Sequence, residues 1–338
     1  MIPRACKVAA SLAALFLVLF ASSAAGSTRV ETIVKFDASA SQLPEGLAVD
    51  RSGDIFVSFA PLGQLAEIDV DEDGPTRVEP VGTVPGLTPP DIGLTGLALD
   101  ADGDVYGAVI SAAAQGVWRF DDDGRAPRRL RGTQVIGFPN GLAFDPDGNL
   151  YVSSSSEGRS SNGAFLGGIW RISREGSVDR LLVDEVLGGT GALLPSGVGA
   201  NGIAYRDGVL YVTNSEKGSL LTIPVRRDGS LGAPTVAASG AELIGADGLA
   251  LDVHGNVYVA VISQSKVVRV TPGGQVRLIA DASDGLDWTS SVAFGRTPGT
   301  ETTLYAVNFA IGTQFGNPPG AGPALLAIDV GVQGQPLP

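Results

Sequence analysis

Glu45, Asn140, Asn201 and Asp247 carry the oxygen-bearing side chains that hard metal ions prefer. Each stands inside one copy of a recurring phrase: PEGLAVD (44–50), PNGLAFD (139–145), ANGIAYR (200–206) and ADGLALD (246–252). Two more copies, LTGLALD (94–100) and TSSVAFG (289–295), put Thr95 and Ser290 at the same place. Gathered at one point, the four would offer two carboxylates and two amide oxygens. Ca²⁺ takes about 6–8 oxygen ligands in flexible geometry, so about two to four positions would stay open to water or substrate. Two carboxylates balance a divalent cation, and the amides complete the set without further repulsion. Zn²⁺ suits the set poorly because imidazole and thiolate are missing, and Mg²⁺ prefers a smaller, more hydrated site. Asn-Gly and Asp-Gly taken singly are ordinary turn formers. Glu-Gly is not, and four such pairs in one register of a repeat call for a common reason.

The repeat itself must supply that reason. The anchors at 45, 95, 140, 201, 247 and 290 are separated by 50, 45, 61, 46 and 43 residues, the period of one four-stranded propeller blade. Every unit reads alike. In the third, strands are expected at 141–145, 149–154 (NLYVSS), 167–172 (GGIWRI) and 178–183. The equivalents of the second strand are DIFVSF, DVYGAV, VLYVTN, NVYVAV and TLYAVN. The expected fold is therefore all-β, a six-bladed β-propeller of four antiparallel strands per blade. The last unit runs out after three strands (291–295, 303–308, 323–330). The segment ETIVKF (31–36) is expected to supply the fourth and close the ring, which removes an exposed edge. The innermost strand of each blade begins with Gly in five of six units and carries Ala at its third position in all six, which lets six strands crowd together. The residue before the Gly then faces the mouth of the axial channel. Three long connections fall on that face: 155–166, 184–200 and 309–322.

Bulk properties bound what else the chain does. Residues 1–25 read as a secretory signal peptide: Arg4 and Lys7 precede an apolar run (8–20), and small residues follow, with cleavage after Ala25; the contrasting reading is an uncleaved membrane anchor over 8–25, at the lower length limit for a span. Residues 26–338 are then one propeller domain, secreted or periplasmic, with no membrane association after cleavage. The sole cysteine, Cys6, leaves with the signal, so neither disulfide nor thiolate chemistry is available. Removing Arg4 and Lys7 takes the formal net charge from −13 to −15. Such a surface repels phosphate backbones and excludes nucleic acid as a partner; a monomer acting on a small molecule is expected. His254 is the only histidine and sits in a hairpin, so a Ser-His-Asp triad cannot be built. The acidic stretches 69–74, 100–104, 121–124 and 145–149 resemble calcium loops but lack the downstream Glu, and read as solvated turns. Trp118 and Trp170 fall in third strands and read as packing. Trp288 either lines the pocket or caps its blade, and Thr95 and Ser290 either meet substrate or fill space.

With these residues in view, the chain resembles the six-bladed calcium-dependent hydrolases that include gluconolactonase, senescence marker protein, luciferin-regenerating enzyme and diisopropyl-fluorophosphatase. The quartet carries the likeness: Glu in the first blade, Asn-Gly in the third and fourth, Asp-Gly in the fifth. The resemblance implies that Glu45, Asn140, Asn201 and Asp247 hold one catalytic Ca²⁺ and that Asp247 is nucleophile or general base. Where some members have an Asp for a second ion, this chain has Ala250, and no histidine is available to the pocket. The implied activity is hydrolysis of lactones or related esters and phosphotriesters. The contrasting expectation is a non-catalytic NHL-like propeller that binds a ligand or protein. A strictosidine-synthase-like condensing enzyme, which shares the fold, would need no metal quartet.

Overall fold

Each copy of the phrase folds as the innermost strand of one antiparallel sheet. The computed structural model describes residues 29–70, 76–88, 91–121 and 126–337; the segment expected to be a signal peptide (1–25) and parts of the acidic stretches at 69–74 and 121–124 lie outside them. Six four-stranded sheets are present among the described residues. Five follow chain order outward from their inner strands Pro44–Val49, Gly93–Leu99, Pro139–Phe144, Ala200–Arg206 and Ala246–Leu251. The sixth begins at Thr289–Phe294 and is completed by Val30–Lys35, which pairs antiparallel with Ala324–Asp329. The N-terminal strand therefore closes the ring, one residue earlier than the sequence pattern placed it.

The core is divided among the seams between blades. Tyr305, Val307 and Leu325 of the sixth blade pack on Leu47, Val57 and Phe59 of the first. The third and fourth blades meet through Ile169, Leu187, Ile203, Leu210 and Val212. Aromatic pairs bridge several seams, with Tyr106–Phe144 and Tyr258–Phe294 edge-on at 5.1 and 5.3 Å between ring centres. Trp118 and Trp170 are buried in such seams.

The last Asp of the phrase has a local role. Asp50, Asp100, Asp145 and Asp252 each accept backbone N–H groups from the following hairpin, as at Asp145, which takes those of Asp147 (3.0 Å) and Asn149 (2.9 Å). These carboxylates make turns, and exposed His254 sits in one of them. At this end of the channel the segment 335–337, with Arg296, lies across the aperture and encloses a cavity of ≈ 160 Å³. Gln335 is held by its N–H to Leu251 O (2.8 Å) and its amide to Tyr205 O (3.0 Å).

Candidate active site

All six inner strands contain a one-residue register shift at the position just described. Pro44 pairs with Phe59 and Leu47 with Val57, so Glu45-Gly46 is a bulge, and the same extra residue recurs in the other five blades. A bulge bends its strand and re-aims a side chain; here it turns the residue before the Gly toward the axis. The Gly permits the next blade to come close. A Cβ on Gly96 would lie 2.5 Å from Asn140 O, and one on Gly141 would lie 2.5 Å from Asn201 O. Hydroxyls on the second strands pin these contacts. Ser58 Oγ accepts from Gly46 N (2.7 Å) and donates to Thr95 O (2.9 Å), and Thr213 Oγ1 donates to Asp247 O (2.7 Å).

Glu45, Asn140, Asn201 and Asp247 converge. All four are buried and together line both the floor of a cavity opening on the long-loop face and a small void beneath it. Below that void, Leu47, Leu97, Leu142, Ile203, Leu249 and Val292, which also pack into the blade seams, form an apolar collar around the axis.

The two amides are oriented by a pair of serines that sequence reasoning passed over. Ser155 Oγ donates to Ala200 O (2.6 Å), so it must accept from Asn140, whose Nδ2 lies 3.1 Å away. Ser215 Oγ likewise donates to Ala246 O (2.7 Å) and accepts from Asn201 Nδ2 at 3.0 Å. Each amide nitrogen thereby commits one N–H to the wall, and Asn201 also donates to Asp247, which leaves the amide oxygens as the free acceptors. A signal existed: the position after the second strand is Ser only in the two units whose ring residue is Asn, and is Ala60, Ile110, Ile262 or Phe309 elsewhere.

The carboxylates are strongly perturbed. Burial pushes Asp247 up to about 8, against a hydrogen bond from Asn201. Burial, and then repulsion from Asp247, holds Glu45 well above the ordinary carboxylate range. Among the described residues no cationic side chain lines either space around them. No group of three or more His, Cys, Asp and Glu side chains suited to a metal exists among the described residues; the quartet is half carboxamide. Two uncompensated buried carboxylates flanked by two fixed amide oxygens fit a divalent, oxygen-seeking cation.

The other ring positions are engaged with backbone. Thr95 Oγ1 donates to Ala108 O (3.2 Å) and Ser290 Oγ to Glu45 O (2.8 Å), the latter joining the sixth blade to the first. Thr95 lines the upper cavity and Ser290 the void below. Trp288 lines the upper cavity, with φ of 48°, and stacks on Phe315 at 4.9 Å. Two of the three long loops supply walls, through Leu193, Leu194 and Val198, and through Phe309, Ile311 and Phe315. The third, 155–166, contributes no other wall residue beyond the described Ser155 hydrogen bond. Its Phe165 packs behind Gly191 and Gly197 of the neighbouring loop.

That neighbouring loop is wrapped around one buried carboxylate, Glu216. It accepts from the backbone amides of Thr190, Gly191 (2.6 Å), Ala192 (3.2 Å), Leu193 (3.0 Å), Leu194 (3.3 Å) and Val198 (2.9 Å), and from Thr190 Oγ1 (3.0 Å). Burial alone would raise this carboxyl, but the amides of Thr190, Val198 and Leu193 outweigh it and bring it from 4.5 down to about 2. A depressed folded pKa stabilises above the unfolded value, and the contribution disappears as pH falls through the folded one. Glu216→Gln is expected to destabilise the protein by about 2–4 kcal/mol at pH 7 and to open the 189–198 segment to limited proteolysis. The difference from the parent should shrink between pH 4.5 and about 2, as read by thermal melts.

The family model described as SMP-30/Gluconolactonase/LRE-like region matches residues 137–307, half of the chain. No curated protein sequence matches it significantly. Among solved structures it is similar to a gluconolactonase from Xanthomonas campestris (18% identity, 93% of this chain and 90% of that one, TM-score 0.62). It is similar to a luciferin-regenerating enzyme (16%, 92% and 98%, 0.65). A third is regucalcin from Agrobacterium tumefaciens, described as a calcium-binding protein (18%, 88% and 93%, 0.63). At these identities the likeness establishes the propeller and nothing finer.

Proposed function

The chain belongs to the SMP-30/gluconolactonase/LRE-like family, and from that premise we propose that it is a Ca²⁺-dependent hydrolase of lactones or related esters and phosphotriesters. Glu45, Asn140, Asn201 and Asp247 would hold the ion, which when bound polarises a carbonyl or phosphoryl oxygen and stabilises the charge developing there. Asp247 activates water as general base or attacks as nucleophile; either role needs its carboxylate ionised. Ser155 and Ser215 keep the amide oxygens of Asn140 and Asn201 turned to the floor. The six apolar residues of the collar give the side of the quartet away from the cavity an apolar lining. The same proposal makes the protein an exported monomer acting on small molecules, supported by the leader-like residues 1–25 and its acidic balance.

One observation carries the reading: four oxygen donors from four blades meet at the bottom of one cavity that no cationic side chain lines, among the described residues. A non-catalytic propeller has no use for two buried carboxylates placed side by side. Lactones, aryl esters and phosphotriesters should be assayed with added Ca²⁺ and after chelation. Hydrolysis of at least one class, lost on chelation and regained with Ca²⁺, is the expected result. Silence across the panel, with stability indifferent to Ca²⁺, returns the protein to the NHL-like ligand-binding class.

A further inference from the structure

The cavity of ≈ 340 Å³ above the quartet is polar at its floor and apolar above it, within reach of ligand pockets of about 300–1,000 Å³. Phe138, Leu193, Leu194, Trp288, Phe309 and Phe315 are among its apolar wall residues. The ionisable side chain in the upper wall, Asp91, is occupied by Ser111 Oγ (2.8 Å) and by the amides of Thr88 (2.9 Å) and Ala112 (3.1 Å). Ser263 donates its hydroxyl to Ile244 O (3.3 Å). These bonds engage Asp91 and the Ser263 proton, and exposed Gln314 adds a single amide to the lining. A sugar lactone would lose water from several hydroxyls with few partners in return, which is unfavourable. An anionic substituent would meet no cation here.

The aromatic wall is also built with strain. Trp288 holds a left-handed backbone (φ 48°), which bulky residues avoid, fixed by its N–H to Ser265 Oγ (3.0 Å) and its carbonyl to Phe309 N (3.1 Å). Its indole lies nearly parallel to Phe315, at 10°. Strain retained beside a site marks a conformation that the site requires. Phe315 is half exposed at the cavity rim (51%), placed to be covered by a ligand.

We propose that the site selects neutral lactones bearing a hydrocarbon substituent, the ring carbonyl at the floor and the chain along Leu194 and the Trp288–Phe315 pair. This rests on the hydrolase reading above. Water adds across the ring acyl–oxygen bond, and the product is the open hydroxy acid.

The test compares γ-undecalactone, γ-octalactone and glucono-δ-lactone with Ca²⁺ present, together with ligand binding read from tryptophan fluorescence. Specificity, kcat/KM, should rise about three- to fourfold per methylene, roughly 50-fold from octa- to undecalactone, with gluconolactone the poorest. Leu194→Ser and Phe315→Ser should each flatten that dependence to below about twofold per methylene. Undecalactone should change the fluorescence of the parent and not that of Trp288→Phe. Turnover with gluconolactone preferred, or with no chain-length dependence, overturns the inference and leaves the hydrolase reading standing. Undecalactone bound without turnover of any lactone overturns the inference and leaves the hydrolase reading to the aryl esters and phosphotriesters of the panel above. Neither binding nor turnover of the three lactones overturns the inference likewise.

Discussion

Asp247→Asn is expected to lower kcat by about 10³-fold or more while the propeller stays folded. Asn is nearly isosteric with Asp, so the inner strand, its bulge and the hydroxyl of Thr213 on Asp247 O should persist. What disappears is an ionisable oxygen that either attacks or accepts a proton, and one of two charges that would hold the cation. Two measurements separate these losses. Calorimetric titration should show weakened Ca²⁺ binding, and kcat at saturating Ca²⁺ should still be depressed. The exchange also removes the partner that repels Glu45, so the calcium-free variant should melt no lower than the parent at neutral pH. Full activity in Asp247→Asn would take this residue out of the mechanism.

Calcium-free protein should lose stability as pH rises from about 4 to about 8, and added Ca²⁺ should reverse the loss. A carboxyl whose pKa is higher folded than unfolded binds more protons in the folded state between the two values, so stability falls with pH through that window. For Asp247 the window runs from 3.8 to about 8, and Glu45 moves in the same direction. At pH 8 both are pressed toward charge inside the same buried site, and a bound divalent cation relieves them. Ca²⁺ at about 100 times its Kd adds about 2.7 kcal/mol, roughly 5 °C in Tm for a chain of this size. At pH 5 the ion must first displace protons, so its effect should be small. Melts of calcium-stripped protein at pH 5 and 8, with and without Ca²⁺, decide the matter. Melting temperatures indifferent to both pH and Ca²⁺ would show that the quartet holds no ion.

The quartet was legible in the sequence because a repeat converts distance along the chain into an angle about an axis. Glu45 and Asp247 are far apart in number yet occupy equivalent places, and equivalence in a closed ring means convergence. The closing strand was legible for a related reason, since the sixth unit lacked a fourth strand and one apolar segment was unused. The walls were not legible. Leu193, Leu194 and Phe315 lie in loops with no period, where pairing depends on contacts from elsewhere in the chain. One of those contacts, Glu216, reads in sequence as an ordinary surface acid. The three long loops looked alike in composition, yet two form walls and the third chiefly supports its neighbour through Phe165. Thr95 and Ser290 were identified by register, but only the structure assigns their hydroxyls to Ala108 O and Glu45 O. Ser155 and Ser215 were visible in principle, though only after asking which units differed from the rest.

The pairing of Val30–Lys35 with Ala324–Asp329 has a kinetic consequence. Synthesis runs from the N-terminus, so Val30–Lys35 is made long before its partner Ala324–Asp329. Until Ala324–Asp329 is available, Val30–Lys35 lacks that partner and the ring is an open arc. Contacts between such remote segments form slowly, because the loop they close is long. Glu45 and Asp247 sit on opposite arms of that arc and reach their working separation only when it shuts. The convergence of the four donors is therefore a property of the finished circle rather than of any blade alone.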